Sequence, residues 1–107
     1  MIIINNNQYI CLLEYAIDLL KGKWKPIIIC TLDSQTFRYN ELYKIIDGIS
    51  HKMLSEKLKE LENERIVERT SYNEMPLRVE YKLTKTGLEL YIILQQLKDW
   101  TVKYLEE

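Results

Sequence analysis

The spacing of apolar residues in the middle of the chain predicts two short helices. The first covers Asn40–Ile46, where apolar side chains recur at intervals of three and four residues and therefore share one face. Gly48 follows it, and glycine readily adopts the positive φ that often ends a helix. The second helix begins at Ser50, a favourable N-cap residue, and runs to Asn63. Its apolar stripe consists of Leu54, Leu58 and Leu61. This pattern predicts a helix-turn-helix.

The pair of helices has two interpretations. In a helix-turn-helix the second helix can lie in the major groove of DNA. Most helical hairpins of this length, however, belong to small α-helical domains that bind no nucleic acid. The polar face of the second helix is compatible with both; it carries His51, Lys52, Ser55, Glu56 and Lys59.

The segment after the second helix favours DNA binding. Ile66–Tyr72 and Arg78–Leu83 alternate in part between apolar and polar residues, and a short polar loop with Pro76 separates them. This pattern predicts a β-hairpin. A helix-turn-helix followed directly by a hairpin is a winged helix, whose wing commonly contacts the DNA backbone or the minor groove. The predicted fold class is therefore mainly α with a small β-hairpin.

Further helices are predicted before this unit. Residues 1–8 are expected to form a loosely held arm with a polar tip. Tyr9–Leu20 has the pattern of an amphipathic helix. Pro26 lies in the first turn of the next helix, and the apolar run that follows, residues 27–32, is expected at the centre of the domain. A buried strand is the alternative for this run, because β-branched residues dominate it.

A long helix is predicted at the C-terminus, capped by Thr84 and covering residues 85–105. Its apolar side is wider than one small core requires; it contains Leu90, Ile93, Leu94, Leu97, Trp100 and Tyr104. The helix could wrap its own domain, but an exposed stripe of this kind is a liability for a monomer. We therefore expect a homodimer.

Composition and charge limit the alternatives. The 107 residues suffice for one domain, and 47% apolar with 29% charged residues is typical of globular proteins. The net charge of −1 does not indicate nucleic acid, although Lys21, Lys23 and Lys25 stand together without an acid between them. No apolar run approaches the roughly 20 residues of a membrane span, and the apolar N-terminus is too short for a signal peptide. A cytoplasmic protein is expected.

The sequence offers little for catalysis or metal binding. His51 is the single histidine, and the two cysteines, Cys11 and Cys30, lie nineteen residues apart, unlike a zinc motif or a disulfide framework. The three glycines are scattered, so no phosphate-binding loop is present. We expect no enzymatic activity and no cofactor.

Several segments together resemble the HxlR-type transcriptional regulators, small bacterial winged-helix proteins related in architecture to the MarR group. The matching segments are GKWKPIII at 22–29, FRYNEL at 37–42, ISHKMLSEKLKELE at 49–62 and RVEYKLTKTG at 78–87. The resemblance implies a homodimer, formed through the N- and C-terminal helices, that binds a palindromic operator in double-stranded DNA. It also implies sensing of electrophiles or oxidants by a cysteine near the N-terminus, and Cys11 is the matching residue.

The candidate DNA contacts fall into two groups. On the recognition helix, Ser50 and the first-turn N–H groups suit a phosphate, Lys52 can reach a guanine edge or a phosphate, and Ser55 can meet any base. His51 and Lys59 complete this group. The candidate backbone contacts elsewhere are Arg38, Asn40, Asn73 and Arg78.

Three alternatives stay open. Asn40 could instead be the N-cap of its helix. Cys11 could be a small buried hydrophobe rather than a redox-sensitive thiol. The whole chain could be a winged-helix module for protein contact that binds no DNA.

Overall fold

The computed structural model describes residues 1–107. Five helices and five short strands follow one another as β1 (Ile2–Ile4), β2 (Asn7–Tyr9), α1 (Leu12–Leu19), α2 (Trp24–Leu32), β3 (Phe37–Arg38), α3 (Tyr39–Ile45), α4 (His51–Asn63), β4 (Val67–Tyr72), β5 (Arg78–Leu83) and α5 (Lys85–Glu106). The order confirms the predicted helix-turn-helix in α3 and α4, followed by the hairpin of β4 and β5. None of the helices combines the length and apolar character that crossing a membrane requires.

The core lies between α2, α4 and the sheet. The predicted stripe of α4 is buried in full, with Leu54 and Leu61 at 0% exposure. From α2, Ile28 and Ile29 are equally buried, which confirms that this apolar run is a central helix rather than a strand. The remaining core residues include Leu32, Leu42, Ile46, Ile49, Leu58, Ile66, Val67 and Leu83.

A three-stranded antiparallel sheet in the order β3-β5-β4 closes the other side of the core. Val67 pairs with Leu83 and Arg69 pairs with Tyr81. Because side chains alternate along a strand, these four residues share the face that packs on the helices. The opposite face carries Glu68 and Lys82, among others, and is turned toward solvent.

Two side-chain caps form as predicted. The Ser50 hydroxyl accepts a hydrogen bond from the Met53 N–H at 3.0 Å, and the Thr84 hydroxyl accepts one from the Gly87 N–H at 3.0 Å. Gly48, with φ +84°, makes the turn between α3 and α4. Gly87 has a different constraint, because a Cβ there would collide with the backbone carbonyl of Ile66. The first turn of α5 thus lies directly against the root of the hairpin.

The N-terminal prediction is wrong in two respects. The expected loose arm is a β-hairpin, in which Asn5 and Asn6 form the turn with φ of 51° and 66°. Asparagine tolerates this left-handed conformation, and two such residues in succession favour a tight hairpin turn. The expected helix begins at Leu12 rather than at Tyr9, since Tyr9 belongs to β2 and donates a hydrogen bond to Asp18 at 2.8 Å.

Candidate nucleic-acid interface

The outer face of α4 is exposed along its whole length. His51, Lys52 and Ser55 are open to solvent in the first half of the helix, and Glu56 and Lys59 follow in the second half. The buried leucine stripe occupies the opposite side of the same helix. The helix therefore presents a continuous polar surface of the kind that can enter a DNA groove.

Tyr39 holds two of these predicted contact residues in place. Its hydroxyl oxygen lies 3.0 Å from Nδ1 of His51, 3.1 Å from the His51 carbonyl oxygen and 3.2 Å from Oγ of Ser55. The His51 ring stacks on Tyr43 with the centroids 3.7 Å apart. His51 and Ser55 are thus fixed by residues of α3, whereas Lys52 and Lys59 are not tied to other side chains by hydrogen bonds or ion pairs.

The start of α3 differs from the expectation for Asn40. Arg38 occupies the N-cap position, and its N–H donates to the Glu41 carboxylate at 2.7 Å. The suggested N-cap role of Asn40 is therefore wrong, because α3 begins one residue earlier, at Tyr39, and Asn40 is its second residue. Asn40 lies inside α3, and both Arg38 and Asn40 are exposed.

The hairpin positions its two predicted contacts differently. Asn73 is exposed in the loop that joins β4 and β5. Arg78 is paired within the chain: its Nε lies 3.3 Å from Glu74 Oε1 and 3.8 Å from Glu80 Oε2, and its guanidinium stacks 4.0 Å above the Tyr72 ring. Arg78 also projects from the solvent face of the sheet, away from α4.

A cation that the sequence reading overlooked lies closer to the recognition helix. Arg69 in β4 lines a groove of about 360 Å³ between α4 and the sheet, together with Tyr39, Ser55, Leu58, Lys59, Glu62 and Tyr81. The position of Arg69 could have been inferred from the alternation of side chains between the two faces of β4. Arg69 is two residues beyond the buried Val67, so it belongs to the face that packs on the helices.

The lysine cluster around the start of α2, Lys21, Lys23 and Lys25, is not a uniform basic patch. Lys25 is 5% exposed, and its ammonium donates to Glu64 at 2.9 Å and to the Leu19 carbonyl at 3.2 Å. Glu60 Oε1 lies 3.3 Å from the same ammonium. Burial raises the pKa of the Glu60 carboxyl, but hydrogen bonds from Lys57 and Lys25 outweigh it and bring the pKa below its usual value. Lys25 is therefore a structural cation.

The two cysteines occupy contrasting environments. Cys11 is exposed at the N-cap position of α1, so it is not part of the protomer core. Cys30 is half-buried in α2 and accepts a hydrogen bond from Gln95 at 3.6 Å. Burial raises the pKa of the Cys30 thiol and so disfavours the reactive thiolate.

Two helices expose more apolar surface than is usual for the helices of a monomeric protein. No residue of α1 is buried, and Leu12, Leu13 and Ile17 are each about two-thirds exposed. On α5 the corresponding residues are Ile92, Ile93, Leu97, Trp100, Tyr104 and Leu105. The Trp100 and Tyr104 rings stack with centroids 5.1 Å apart. We call the residues Ile93, Leu97, Trp100 and Tyr104 the α5 stripe.

The helix-turn-helix, the hairpin beside it and the exposed polar face of α4 define a winged helix-turn-helix protein. Comparison with known proteins identifies the family. The family model described as HxlR-like helix-turn-helix matches residues 19–107, and the chain belongs to this family, whose curated relatives are named as transcriptional regulators.

Among these relatives, a candidate regulatory protein of Fusobacterium mortiferum, MalR, is 42% identical over 95 residues, which cover 88% of this chain and 90% of MalR. The uncharacterized HTH-type transcriptional regulator YdeP of Bacillus subtilis is 37% identical over 94 residues, or 88% of this chain and 73% of YdeP.

Solved structures agree with the fold. The redox regulator HypR in its oxidized form superposes with a TM-score of 0.79 at 38% identity, covering 87% of this chain and 96% of HypR. The reduced form of the transcriptional regulator YodB from B. subtilis gives a TM-score of 0.76 at 39% identity, covering 87% and 91% of the two chains.

Proposed function

We propose that this chain acts as a homodimeric transcriptional regulator that binds a palindromic operator through α4. The observation that carries the proposal is the exposed face of α4, where Lys52 and Lys59 are not held by ion pairs while the leucine stripe anchors the helix in the core. Lys52 is assigned to a guanine edge or a phosphate near the helix start. Ser50 fixes that start, and its hydroxyl proton is available to a phosphate oxygen.

The other predicted contacts have lesser roles in this proposal. His51 and Ser55 are held by Tyr39, so we assign them to shaping the helix surface and to contacts that need no rearrangement. Arg38, Asn40 and Asn73 are exposed and are assigned to the DNA backbone at the edges of the site. The contact predicted for Arg78 remains a prediction, and its two ion pairs favour a role in ordering the hairpin.

The dimer is proposed to form through α1 and α5. The α5 stripe and the exposed leucines of α1 are the apolar surfaces that the protomer core does not use. Two-fold symmetry would then present two copies of α4 to half-sites about one helical turn, roughly 34 Å, apart or a multiple of that distance. A change at the dimer contact would alter the separation of the two α4 helices and release the operator.

Cys11 is proposed as the residue through which oxidants or electrophiles act. It is exposed, and it lies at the start of α1 beside the apolar surface assigned to the dimer. The neighbouring structures support the idea at the level of the family, because HypR is described as a redox regulator and YodB was solved both in a reduced form and after diamide treatment.

The assignment of α4 to the DNA major groove can be tested by fluorescence anisotropy. The protein is titrated against labelled duplexes that it has selected from random-sequence DNA. The double variant Lys52→Ala/Lys59→Ala should bind more weakly, and the slope of log affinity against log salt should fall by about two if both lysines contact phosphates, or by about one if Lys52 contacts a guanine edge. Lys85→Ala, an exposed lysine outside α4 and the hairpin, serves as the control and should bind as the wild type does. Unchanged affinity and slope in the double variant would exclude the assignment.

A winged helix used only for protein contact makes the opposite prediction. Such a protein would show no salt-dependent binding to any duplex, because no counterions would be released from DNA. The wild-type salt titration alone therefore separates the two functions.

A further inference from the structure

The groove between α4 and the sheet brings together two cations from different elements. Lys59 reaches it from the outer face of α4, and Arg69 reaches it from β4. Arg69 is directly opposite Tyr81 in the strand register, and Tyr81 lines the same groove. The groove is therefore built by the meeting of the recognition helix with the base of the hairpin.

The charges of the groove are not neutralised within the protomer. Neither Lys59 nor Arg69 takes part in any of the ion pairs of the chain. Glu62 is the one acid among the lining residues, which leaves the groove with an excess of one positive charge. The other cations of the hairpin differ, since Arg78 is paired with Glu74 and Glu80, and Lys82 lies 3.3 Å from Glu68.

We propose that Lys59 and Arg69 jointly bind one phosphodiester group of the DNA backbone. The proposal rests on the proposed DNA-binding function and adds a contact residue, Arg69, that lies outside the recognition helix. If α4 occupies a DNA major groove, we expect the backbone strand that borders it on the hairpin side to pass beside the protein groove that Lys59 and Arg69 line. Arg69 supplies a planar fork that matches two phosphate oxygens, and Lys59 supplies a compact charge. The phenol of Tyr81 adds a neutral donor.

Such a contact fixes position rather than sequence. Phosphates are the same at every base step, so Arg69 should contribute equally to binding of an operator and of an unrelated duplex. Base-reading contacts on α4 would instead weaken the operator complex selectively. This difference separates the proposal from a role of Arg69 in sequence readout.

The test is a salt titration of Arg69→Gln with two fluorescein-labelled duplexes, one of arbitrary sequence and one selected by the protein from random-sequence DNA. We expect weaker binding of both duplexes by the same factor and a decrease of about one in the slope of log affinity against log salt. Arg69→Lys keeps the charge and should keep the slope. Lys82→Gln removes a lysine of the same hairpin from the opposite face and should leave the slope unchanged.

Each outcome decides something specific. If the wild type shows a salt-dependent affinity and Arg69→Gln shows the same slope with an unchanged melting temperature, the phosphate site is wrong while DNA binding stands. A loss confined to the selected duplex also overturns it in favour of base readout. A wild type that binds neither duplex overturns both the site and the proposed function. If Arg69→Gln has a lowered melting temperature, Arg69→Ala and Arg69→Lys are compared instead, because these two variants differ in charge at the same position. A slope that is lower in Arg69→Ala than in Arg69→Lys supports the phosphate site, and equal slopes overturn it.

Discussion

The ammonium group of Lys25 lies 2.9 Å from Oε2 of Glu64, and this ion pair joins the start of α2 to the residue that ends α4. Lys25 also donates to the carbonyl of Leu19 in the last turn of α1. One buried cation therefore connects three helices, including the recognition helix. Lysine is rarely buried to this degree without carboxylate partners, and here both Glu60 and Glu64 serve.

The two ends of this ion pair should respond unequally to mutation. Glu64→Ala leaves the ammonium of Lys25 buried with only Glu60 as an acidic partner, so we expect a loss of about 2 kcal/mol in the free energy of unfolding. Lys25→Met fills the same space with an apolar chain and leaves carboxylates that water can reach, so its cost should stay within about 1 kcal/mol. Urea denaturation measures both.

Glu89→Ala removes an exposed, unpaired glutamate of α5 and provides the control for general effects of losing an acid. The interpretation fails if Lys25→Met proves the more destabilising of the two variants.

The ion pairs of Glu60 predict a pH dependence. The pKa of Glu60 in the folded protein lies below the usual value of 4.5, so the ionised carboxylate stabilises the fold above about pH 4.5. This stabilisation is lost as the pH falls through the lower pKa of the folded state. The difference in unfolding free energy between the wild type and Glu60→Gln should therefore be full near pH 7 and shrink near pH 3. Urea denaturation at both pH values would reveal a constant difference if the carboxylate pairs were irrelevant.

The residues of the winged helix show why much of the fold was predictable. Ser50, Gly48 and the leucines of α4 act through local rules, capping, turn conformation and helical period, and the structure follows them. Lys25 shows the limit. Beside Lys21 and Lys23 it reads as another solvated lysine, because its partner Glu64 is thirty-nine residues away. Arg69 is an intermediate case: the alternation of β4 places its side chain on the helix-facing side of the sheet, but its position beside Lys59 depends on how the hairpin packs against α4.

The N-terminal hairpin shows a second limit, one of interpretation. The Asn5–Asn6 pair is a local turn signal, but a terminal segment with a polar tip also fits the loosely held arm that the sequence predicts. Strands this short are stabilised by their surroundings, and buried Tyr9 is the residue that ties this hairpin to α1.

The α5 stripe gives a prediction on assembly. Leu97→Glu places a charge in the middle of the stripe and should convert a dimer to monomers, because burying an unpaired carboxylate is strongly unfavourable. Analytical ultracentrifugation measures the change. Loss of the second subunit should weaken binding to a palindromic duplex by roughly 100-fold or more.

Lys103→Glu changes the charge of an exposed residue on the same helix that is not part of the stripe, and it should remain dimeric. A dimeric Leu97→Glu, or a monomeric wild type, would show that α5 does not form the subunit contact.

The two cysteines should differ in reactivity. Alkylation with iodoacetamide followed by mass spectrometry should modify Cys11 first, because Cys11 is exposed whereas burial raises the pKa of the Cys30 thiol. If Cys11 is the sensing residue, mild oxidant should reduce DNA binding by the wild type and by Cys30→Ser but not by Cys11→Ser. A thiol switch at Cys11 would be contradicted if the oxidant reduced DNA binding by Cys11→Ser as much as by the wild type. It would also be contradicted if the oxidised wild type showed no disulfide on a non-reducing gel and no modified Cys11 in the mass spectrum.

The close approach of Gly87 to the carbonyl of Ile66 has a mechanical consequence. Even a methyl group has no space between them, so any larger residue at position 87 would have to displace either the first turn of α5 or the chain just before β4. From this contact, α5 continues to the α5 stripe proposed as the subunit contact, and β4 forms the first strand of the wing. In the proposed dimer, the same helix that would contact the second subunit therefore also touches the base of the wing, so a rearrangement along α5 is expected to move the wing with it.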